Sequence, residues 1–157
     1  MPTPAPTPAR ILPRAAAALL CLAVSWIHVQ DQGGFPGDKT PHYVAIGYYL
    51  LEATGVLCAV LLLAGSRLRG LRSDAYPVEW LLAAGVALGP LLGFVLSRGP
   101  GLPDYSDDKG NWTEPLALIS LAVEGTLLLM AAAIVLAAFR TAQATAGRRV
   151  PSGSSAR

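Results

Sequence analysis

The sequence predicts an all-α integral membrane protein whose fold is a four-helix bundle. Hydrophobic residues make up 53% of the 157 residues and charged residues only 14%, a composition too apolar for an ordinary soluble domain. The apolar residues are also gathered into four runs, each near the ~20 residues that a helix needs to cross a bilayer. These runs predict transmembrane helices at about 11–30, 43–65, 77–97 and 115–139.

The first apolar run has an alternative interpretation as a cleaved signal peptide. Arg10 and Arg14 precede a short apolar stretch at residues 15–27, which is the order of charge and hydrophobicity in a signal peptide. No small-x-small cleavage site follows this stretch, so a retained helix is favoured. Both interpretations leave the topology of the remaining helices unchanged.

The two ends of the chain differ from the predicted four-helix domain, residues 11–140. Residues 1–10 are spaced by prolines, and residues 141–157 are polar and poor in large apolar side chains. Such segments bury too little apolar surface to fold by themselves. We expect a disordered leader and a disordered tail, both on the cytoplasmic side.

Basic residues predict the orientation of the helices. Positively charged residues concentrate on the cytoplasmic side of membrane proteins, and nine of the twelve in this chain fall on one side of the predicted helices. The two termini are therefore expected in the cytoplasm and the loops at residues 31–42 and 98–114 outside. A composition rich in alanine and arginine is typical of bacteria, which predicts the bacterial plasma membrane. The nine are Arg10, Arg14, Arg67, Arg69, Arg72, Arg140, Arg148, Arg149 and Arg157.

Two glutamates interrupt the apolar runs at matching positions. Glu52 in the second run and Glu124 in the fourth are each followed by a small residue and a threonine, and each lies nine residues from the predicted outer end of its helix. Equal depth in the membrane follows, because each helical residue rises ~1.5 Å. The pattern predicts two helical hairpins related by a pseudo-twofold axis along the membrane normal, the parallel kind of internal repeat.

The faces that carry these glutamates are small and polar. Helical spacing places Tyr48 on the face of Glu52 and Ser120 on the face of Glu124. A carboxyl group facing lipid costs several kcal/mol, so both faces should point into the bundle. We expect Glu52 and Glu124 to share one polar cavity in its outer half, with Tyr48, Ser120 and Thr126 supplying hydrogen bonds.

Two roles for the glutamates remain open at this stage. In the structural interpretation each carboxyl group is protonated, bonds to a hydroxyl group and fastens helices together, because burial disfavours the charged form. In the functional interpretation the pair binds a cation or relays protons. The residue types alone do not separate the two.

The two histidines lie near the predicted outer ends of the first and second helices. His28 and His42 are therefore candidate ligands at the outer face, and imidazole favours zinc, copper or nickel. No close spacing of metal-ligating residues accompanies them in the sequence. A hydrogen-bonded boundary histidine is the favoured interpretation, and neither a metal site nor a cofactor is predicted.

The remaining features concern packing and the second outer loop. Gly85, Gly89 and Gly93 form a GxxxGxxxG row that predicts close helix contact. Cys21 and Cys58 are expected at different depths, too far apart for a disulfide. In the loop, Asp104, Ser106 and Asp108 match three positions of an EF-hand, but Lys109 replaces its glycine, so calcium is not predicted. Tyr105 and Trp112 are expected at the lipid headgroups.

The order of several short segments resembles a known family. The segments "HVQD", "TPHYVAIGYYLLE" and "LSRGPGLPDY…W…EPLALISLAVEG" resemble the uncharacterised four-helix integral membrane proteins of actinobacteria, over most of residues 11–140. The stretch "LLEATGVLCAVLLLAGSR" is similar to the second helix of DoxX-like membrane proteins. The resemblance implies a four-helix membrane fold and carries over no reaction and no catalytic residues.

The motifs assign no molecular function beyond that of a multi-pass integral membrane protein. No nucleophile motif, phosphate-binding glycine loop or zinc motif is present, so no enzymatic activity is predicted. The first alternative is a small proton- or cation-linked transporter that uses Glu52 and Glu124. The second is an accessory subunit of a membrane complex. The expected partners are the lipid bilayer and either further copies of the chain or another membrane protein, and nucleic acid is not among them.

Overall fold

The structure is a computed structural model that describes residues 8–68 and 78–148. Four α-helices make up most of these ranges: α1 (Pro8–Asp31), α2 (His42–Leu68), α3 (Val78–Arg98) and α4 (Pro115–Arg148). Within the described ranges the backbone forms no strand, only one isolated bridge between Leu102 and Tyr105. The predicted all-α four-helix bundle is confirmed.

All four helices are long and apolar enough to cross a membrane. The qualifying spans are Ile11–Asp31, His42–Ala64, Val78–Arg98 and Pro115–Thr145. Their outward faces are apolar as well, because large side chains such as Leu19, Leu50 and Leu129 are 63–74% exposed. So many exposed large apolar side chains are unusual on a soluble monomer and suit a bundle surrounded by lipid. The architecture therefore fits a multi-pass membrane protein.

Helix α4 is longer than the sequence predicted. It continues to Arg148, so the expectation of disorder is wrong for residues 141–148. It is also wrong for residues 8–10 of the leader, because α1 begins at Pro8. The hydroxyl groups of Thr141 and Thr145 donate hydrogen bonds to carbonyl oxygens one turn back, and alanine, which recurs here, is the strongest helix former. The first part of the leader (residues 1–7), the segment 69–77 with Arg69 and Arg72, and the end of the tail (149–157) lie outside the described residues.

The four helices pack as two antiparallel hairpins. Helices α1 and α2 form one hairpin and α3 and α4 the other; α1 also contacts α4, and α2 contacts α3. Across the centre the backbones of α1 and α3 approach each other, whereas no Cα atoms of the described parts of α2 and α4 lie within 8 Å of each other. This pattern is compatible with the predicted pseudo-twofold relation between hairpins. We call the end that carries residues 32–41 and 99–114 the distal end, and the opposite end the proximal end.

Small side chains dominate the core. Alanine and cysteine recur three or four residues apart on the inward faces, which lets the helices approach closely. The four helices all contribute to one apolar cluster: Ala17, Ala18, Cys21, Val24, Cys58, Ala59, Leu62, Trp80, Ala83, Val86, Ala87, Leu127 and Ala131.

The glycine row of α3 does not lie in this core. A Cβ atom added at Gly85, Gly89 or Gly93 would meet no atom within 4 Å, so the prediction that the row mediates close packing is wrong. The buried face of α3 instead carries Ala83 and Ala87. Two stripes of small residues run along this helix, and burial by the neighbouring helices selects the alanine stripe.

The close approach of backbones occurs between α1 and α2. A Cβ atom at Gly55 would overlap Ser25 Oγ and lie 3.0 Å from the Cys21 carbonyl oxygen. The Ser25 hydroxyl group is within hydrogen-bond distance of that oxygen, at 3.2 Å, and of the Glu52 carbonyl oxygen, at 3.1 Å. The absence of a side chain at Gly55 therefore sets the spacing of the first hairpin.

The two cysteines meet in the same interface. Their free thiols are buried side by side in the apolar cluster of the core, so the prediction that Cys21 and Cys58 lie at different depths is wrong. That prediction assumed level helix ends at the distal side. In the structure Asp31, the last residue of α1, hydrogen bonds to Tyr48, so the start of α2 extends beyond the end of α1 and brings the two thiols to one level.

An ion pair closes the proximal end of the bundle. Arg14 on α1 pairs with Glu79 on α3, and a second nitrogen of its guanidinium group lies 3.4 Å from the Leu62 carbonyl oxygen on α2. The Arg14 side chain is only 7% exposed. Pairing keeps the cost of burying this charge low, so one side chain ties three helices together.

Candidate functional site

A cavity of about 410 Å³ lies at the distal end of the bundle. All four helices and the segment 99–114 bound it, and aliphatic and aromatic side chains form most of its wall. Its volume is within the range of ~300–1,000 Å³ that is typical of small-molecule sites. The polar side chains that line it are His28, Asp31, Tyr43, Tyr48, Ser97, Arg98, Tyr105, Asp108, Ser120 and Glu124.

Glu124 is the most deeply buried carboxyl group of this cavity. The residue is 1% exposed, and the hydroxyl group of Ser120, one helical turn earlier, donates a 2.5 Å hydrogen bond to its Oε1 atom. Residues four apart lie on the same helix face, which explains this contact. Within the described residues no donor bonds to the second oxygen, Oε2. Glu124 therefore retains an acceptor for a further partner.

His28 faces Glu124 from α1. Its Nδ1 atom lies 2.9 Å from the Val24 carbonyl oxygen, which can only accept, so Nδ1 carries a hydrogen. The other ring nitrogen, Nε2, is then an acceptor when the ring is neutral. It lies 3.9 Å from Glu124 Oε1. The carboxyl group and the imidazole can therefore hold one exchangeable proton between them.

A second polar group adjoins the histidine. Tyr48 donates a hydrogen bond to Asp31, and its ring contacts the His28 ring with 5.4 Å between centroids. The ammonium group of Lys39 lies 3.5 Å from Asp31 Oδ1 and 5.4 Å from the centre of the Tyr48 ring. The carboxylate of Asp31 is thus matched by a cation.

Arg98 organises the wall opposite the histidine. Its guanidinium group lies 2.6 Å from Glu114 Oε2 and 3.6 Å from Asp108 Oδ2, donates to the Asn111 carbonyl oxygen at 2.6 Å, and stacks 4.5 Å from the Phe94 ring centre. These contacts compensate the charge of a side chain that is only 7% exposed. Arg98 therefore fastens the segment 99–114 to the end of α3.

Tyr105 brings this segment into the cavity. The residue is 5% exposed, and its hydroxyl group donates to Asp108 Oδ2 at 2.8 Å. Burial and the Asp108 carboxylate raise the pKa of Tyr105, so its hydroxyl group stays protonated. The prediction that Tyr105 sits at the lipid headgroups is wrong. Trp112 is 43% exposed and packs edge-on against Phe94, and its depth relative to the headgroups remains a prediction.

Glu52 does not line this cavity. Gln32 donates a 2.7 Å hydrogen bond to its Oε1 atom, and the glutamate lines a separate groove between α1 and α2, beside Trp26. The prediction that Glu52 and Glu124 share a cavity is therefore wrong. The physical reason is helix rotation: Glu52 faces its own hairpin partner, α1, whereas Glu124 faces the same helix from the other hairpin.

Two further predicted site residues are outside the cavity. Thr126 is exposed on α4, and its hydroxyl group donates to the Ala122 carbonyl oxygen at 2.7 Å. His42 is exposed at the start of α2 and does not line the cavity. In the part of the chain that the structure describes, no three histidine, cysteine, aspartate or glutamate side chains are arranged to hold a metal ion.

The structure thus brings together four of the seven predicted site residues, His28, Tyr48, Ser120 and Glu124. It adds Asp31, Arg98, Tyr105 and Asp108, which the sequence analysis did not place in the site. The "HVQD" segment held one usable signal, because Asp31 follows His28 at helical i+3 spacing. A second usable signal was the pair of opposite charges, Arg98 and Glu114, at the two ends of the segment 99–114.

Comparisons with known proteins do not add to this geometry. No protein-family model, curated protein or solved structure matches the chain. The resemblance to actinobacterial four-helix membrane proteins and to DoxX-like proteins remains a prediction from the quoted segments.

Proposed function

We propose that this protein is a proton-linked transporter of a small organic solute in the bacterial plasma membrane, with both termini in the cytoplasm. The observation that supports it is the pair formed by Glu124 and His28 Nε2, 3.9 Å apart in a cavity bounded by apolar helices. A carboxyl group beside a neutral imidazole can take up or release a proton at ordinary pH. This pair replaces the two glutamates of the sequence-based hypothesis.

The exchange follows from the cost of burying charge. In the empty cavity a proton on Glu124 avoids an unpaired carboxylate in an apolar environment, and its O–H group can point at the acceptor nitrogen of His28. A solute whose polar group binds the ionised carboxylate replaces that proton. Binding of solute and binding of proton are then coupled, and each weakens the other by the same factor.

The other carboxylates in or beside the cavity are paired with cations, so Glu124 is the carboxyl group that exchanges the proton. Asp31 is matched by Lys39, and Asp108 by Arg98, which also pairs with Glu114. The other titratable and charged groups that line the cavity around this pair are Asp31 from α1, Tyr43 and Tyr48 from α2, Arg98 from α3, and Tyr105 and Asp108 from the segment 99–114.

Transport requires a second conformation that opens toward the proximal end. Between the cavity and that end lie Cys58, Leu62 and Leu127, which are 0% exposed. A closed core on one side and a cavity on the other suits the alternating access of small transporters. In the proposed orientation the cavity serves the outer face.

Proton flux in proteoliposomes tests the proposal. Vesicles with a trapped pH-sensitive dye would receive, one at a time, small amines, carboxylic acids, alcohols and amides, and protein-free vesicles would supply the baseline. We expect one chemical class to drive proton movement that depends on the protein. Glu124→Gln should abolish that movement, because an amide cannot exchange a proton.

Glu52→Gln is the matched control. It makes the same isosteric change at another buried glutamate, outside the cavity, and can still accept the hydrogen bond from Gln32. It should retain full solute-driven flux. Full flux through Glu124→Gln, or equal loss in the two variants, would refute the assignment of Glu124.

A further inference from the structure

The charges around the cavity do not balance. Four carboxyl groups, those of Asp31, Asp108, Glu114 and Glu124, lie in or beside it, against two cationic side chains, Arg98 and Lys39. Both cations are held by the other three carboxylates. Among the described residues no lysine or arginine pairs with Glu124. When the His28 ring is neutral, an ionised Glu124 therefore calls for a positive charge from outside the protein.

The walls suit a cation that carries an organic body. Tyr43, Tyr48, Phe94 and Tyr105 present aromatic rings to the cavity, and aromatic faces attract cations. The Lys39 ammonium group already lies over the Tyr48 ring, and the Arg98 guanidinium group lies over the Phe94 ring. A space of about 410 Å³ with mostly aliphatic and aromatic lining is far larger than a bare metal ion. These features favour a small organic cation.

The acceptors near Glu124 specify the type of cation. Glu124 Oε1 and His28 Nε2 are 3.9 Å apart, so one nitrogen between them can reach both at the ~2.8 Å of a charge-assisted hydrogen bond. An ammonium group with at least two N–H bonds satisfies both acceptors at once. A quaternary ammonium has no N–H bond, and an alcohol has neither the charge nor a second donor.

We propose that the solute is a protonated primary or secondary amine with a compact apolar body, whose ammonium group bridges Glu124 and His28. The amine's apolar part then lies against Phe94 and the neighbouring aliphatic wall. The proposal deepens the proposed function, on which it rests for the role of Glu124 as the exchanging carboxyl group. Ammonium binding and proton release at Glu124 are then one event, so the amine exchanges for a proton.

A series of four ligands that share one phenylethyl body tests the amine assignment. The purified protein in an uncharged detergent would be titrated with 2-phenylethylamine, 2-phenylethanol, 3-phenylpropionate and trimethyl(2-phenylethyl)ammonium, with binding measured by calorimetry and by thermal shift. We expect the primary amine to bind and to raise Tm. The alcohol and the quaternary ammonium should bind at least about tenfold more weakly, as expected for losing a charge-assisted hydrogen bond, and the carboxylate should not bind.

Two variants separate site binding from partition into the detergent. Glu124→Gln should weaken amine binding about 10- to 100-fold, whereas Glu52→Gln should bind as the wild type does. Alcohol or carboxylate binding as tight as that of the amine overturns the amine assignment, as does absence of binding by all four compounds or unchanged amine affinity in Glu124→Gln.

The proposed function has a separate outcome. If a neutral or anionic solute drives Glu124-dependent proton flux, the transporter proposal stands and the amine assignment falls. If the amine binds at Glu124 but no solute drives proton flux, the transporter proposal falls and the binding site stands.

Discussion

His28 presents its acceptor nitrogen, Nε2, to Oε1 of Glu124 at 3.9 Å, because its other ring nitrogen is bound to the Val24 carbonyl oxygen. This relationship joins the first helix to the last. The hydrogen bond within α1 fixes which nitrogen faces the cavity, so the ring is held ready to accept a proton or an N–H group.

Removing this acceptor should impair proton exchange without unfolding the bundle. His28→Phe keeps an aromatic ring beside Tyr48 but eliminates Nε2, so we expect solute-driven proton flux in proteoliposomes to fall by at least about tenfold. His42→Phe is the control, because His42 is exposed and lies outside the cavity. Equal flux in the two variants would show that the histidine only fills space.

Adding one methyl group at Gly55 should destabilise the protein. Its Cβ atom would overlap Ser25 Oγ, and overpacking of this kind costs about 1–3 kcal/mol. Gly85→Ala makes the same change where no atom lies within 4 Å, and alanine is the better helix former. Thermal unfolding in detergent should give a lower Tm for Gly55→Ala and no decrease for Gly85→Ala. Matching Tm values would mean that the first hairpin can widen at little cost.

Gly89 should tolerate a large side chain in folding but not in binding. It lines the cavity, and a Cβ atom there would meet nothing within 4 Å. We therefore expect Gly89→Leu to accumulate and unfold like the wild type while its solute-driven flux is lost, because leucine occupies the cavity. Gly85→Leu, one turn away and outside the cavity lining, should keep the flux. A strongly reduced Tm for Gly89→Leu would restore the close-packing interpretation of the glycine row.

Cysteine labelling tests the proposed orientation. In a background where Cys21 and Cys58 are replaced by alanine, Ser106→Cys should react with a membrane-impermeant maleimide in intact cells, because Ser106 is exposed at the distal end. Thr145→Cys, exposed near the proximal end of α4, should react only after the membrane is opened. The reverse labelling pattern would place the termini outside.

Some of the candidate site could be predicted from spacing along one helix. Ser120 and Glu124 lie four residues apart, so their hydrogen bond follows from helical geometry alone. The burial of Glu52 was predictable in the same way, because a carboxyl group facing lipid is costly. Its partner Gln32 was not predictable, because that contact depends on how far the segment 32–41 folds back against α2.

The predictions for Cys21 with Cys58 and for the glycine row were both wrong because they depend on how neighbouring helices pack. Counting residues from helix ends assumes that the ends are level, and the start of α2 extends beyond the end of α1. A row of small residues marks where a close approach is permitted, and the neighbouring helix decides whether it occurs. The approach takes place at Gly55, where the backbone of α1 lies against it.

The sequence by itself determined four apolar helices, an all-α bundle and two buried glutamates, because hydrophobic length and helical period act within one segment at a time. Only the tertiary structure decided that Glu124 meets His28 while Glu52 meets Gln32. The rotation of each helix about its axis and its offset along the membrane normal depend on packing against other helices. These two quantities determine which polar side chains share a cavity, and no single segment encodes them.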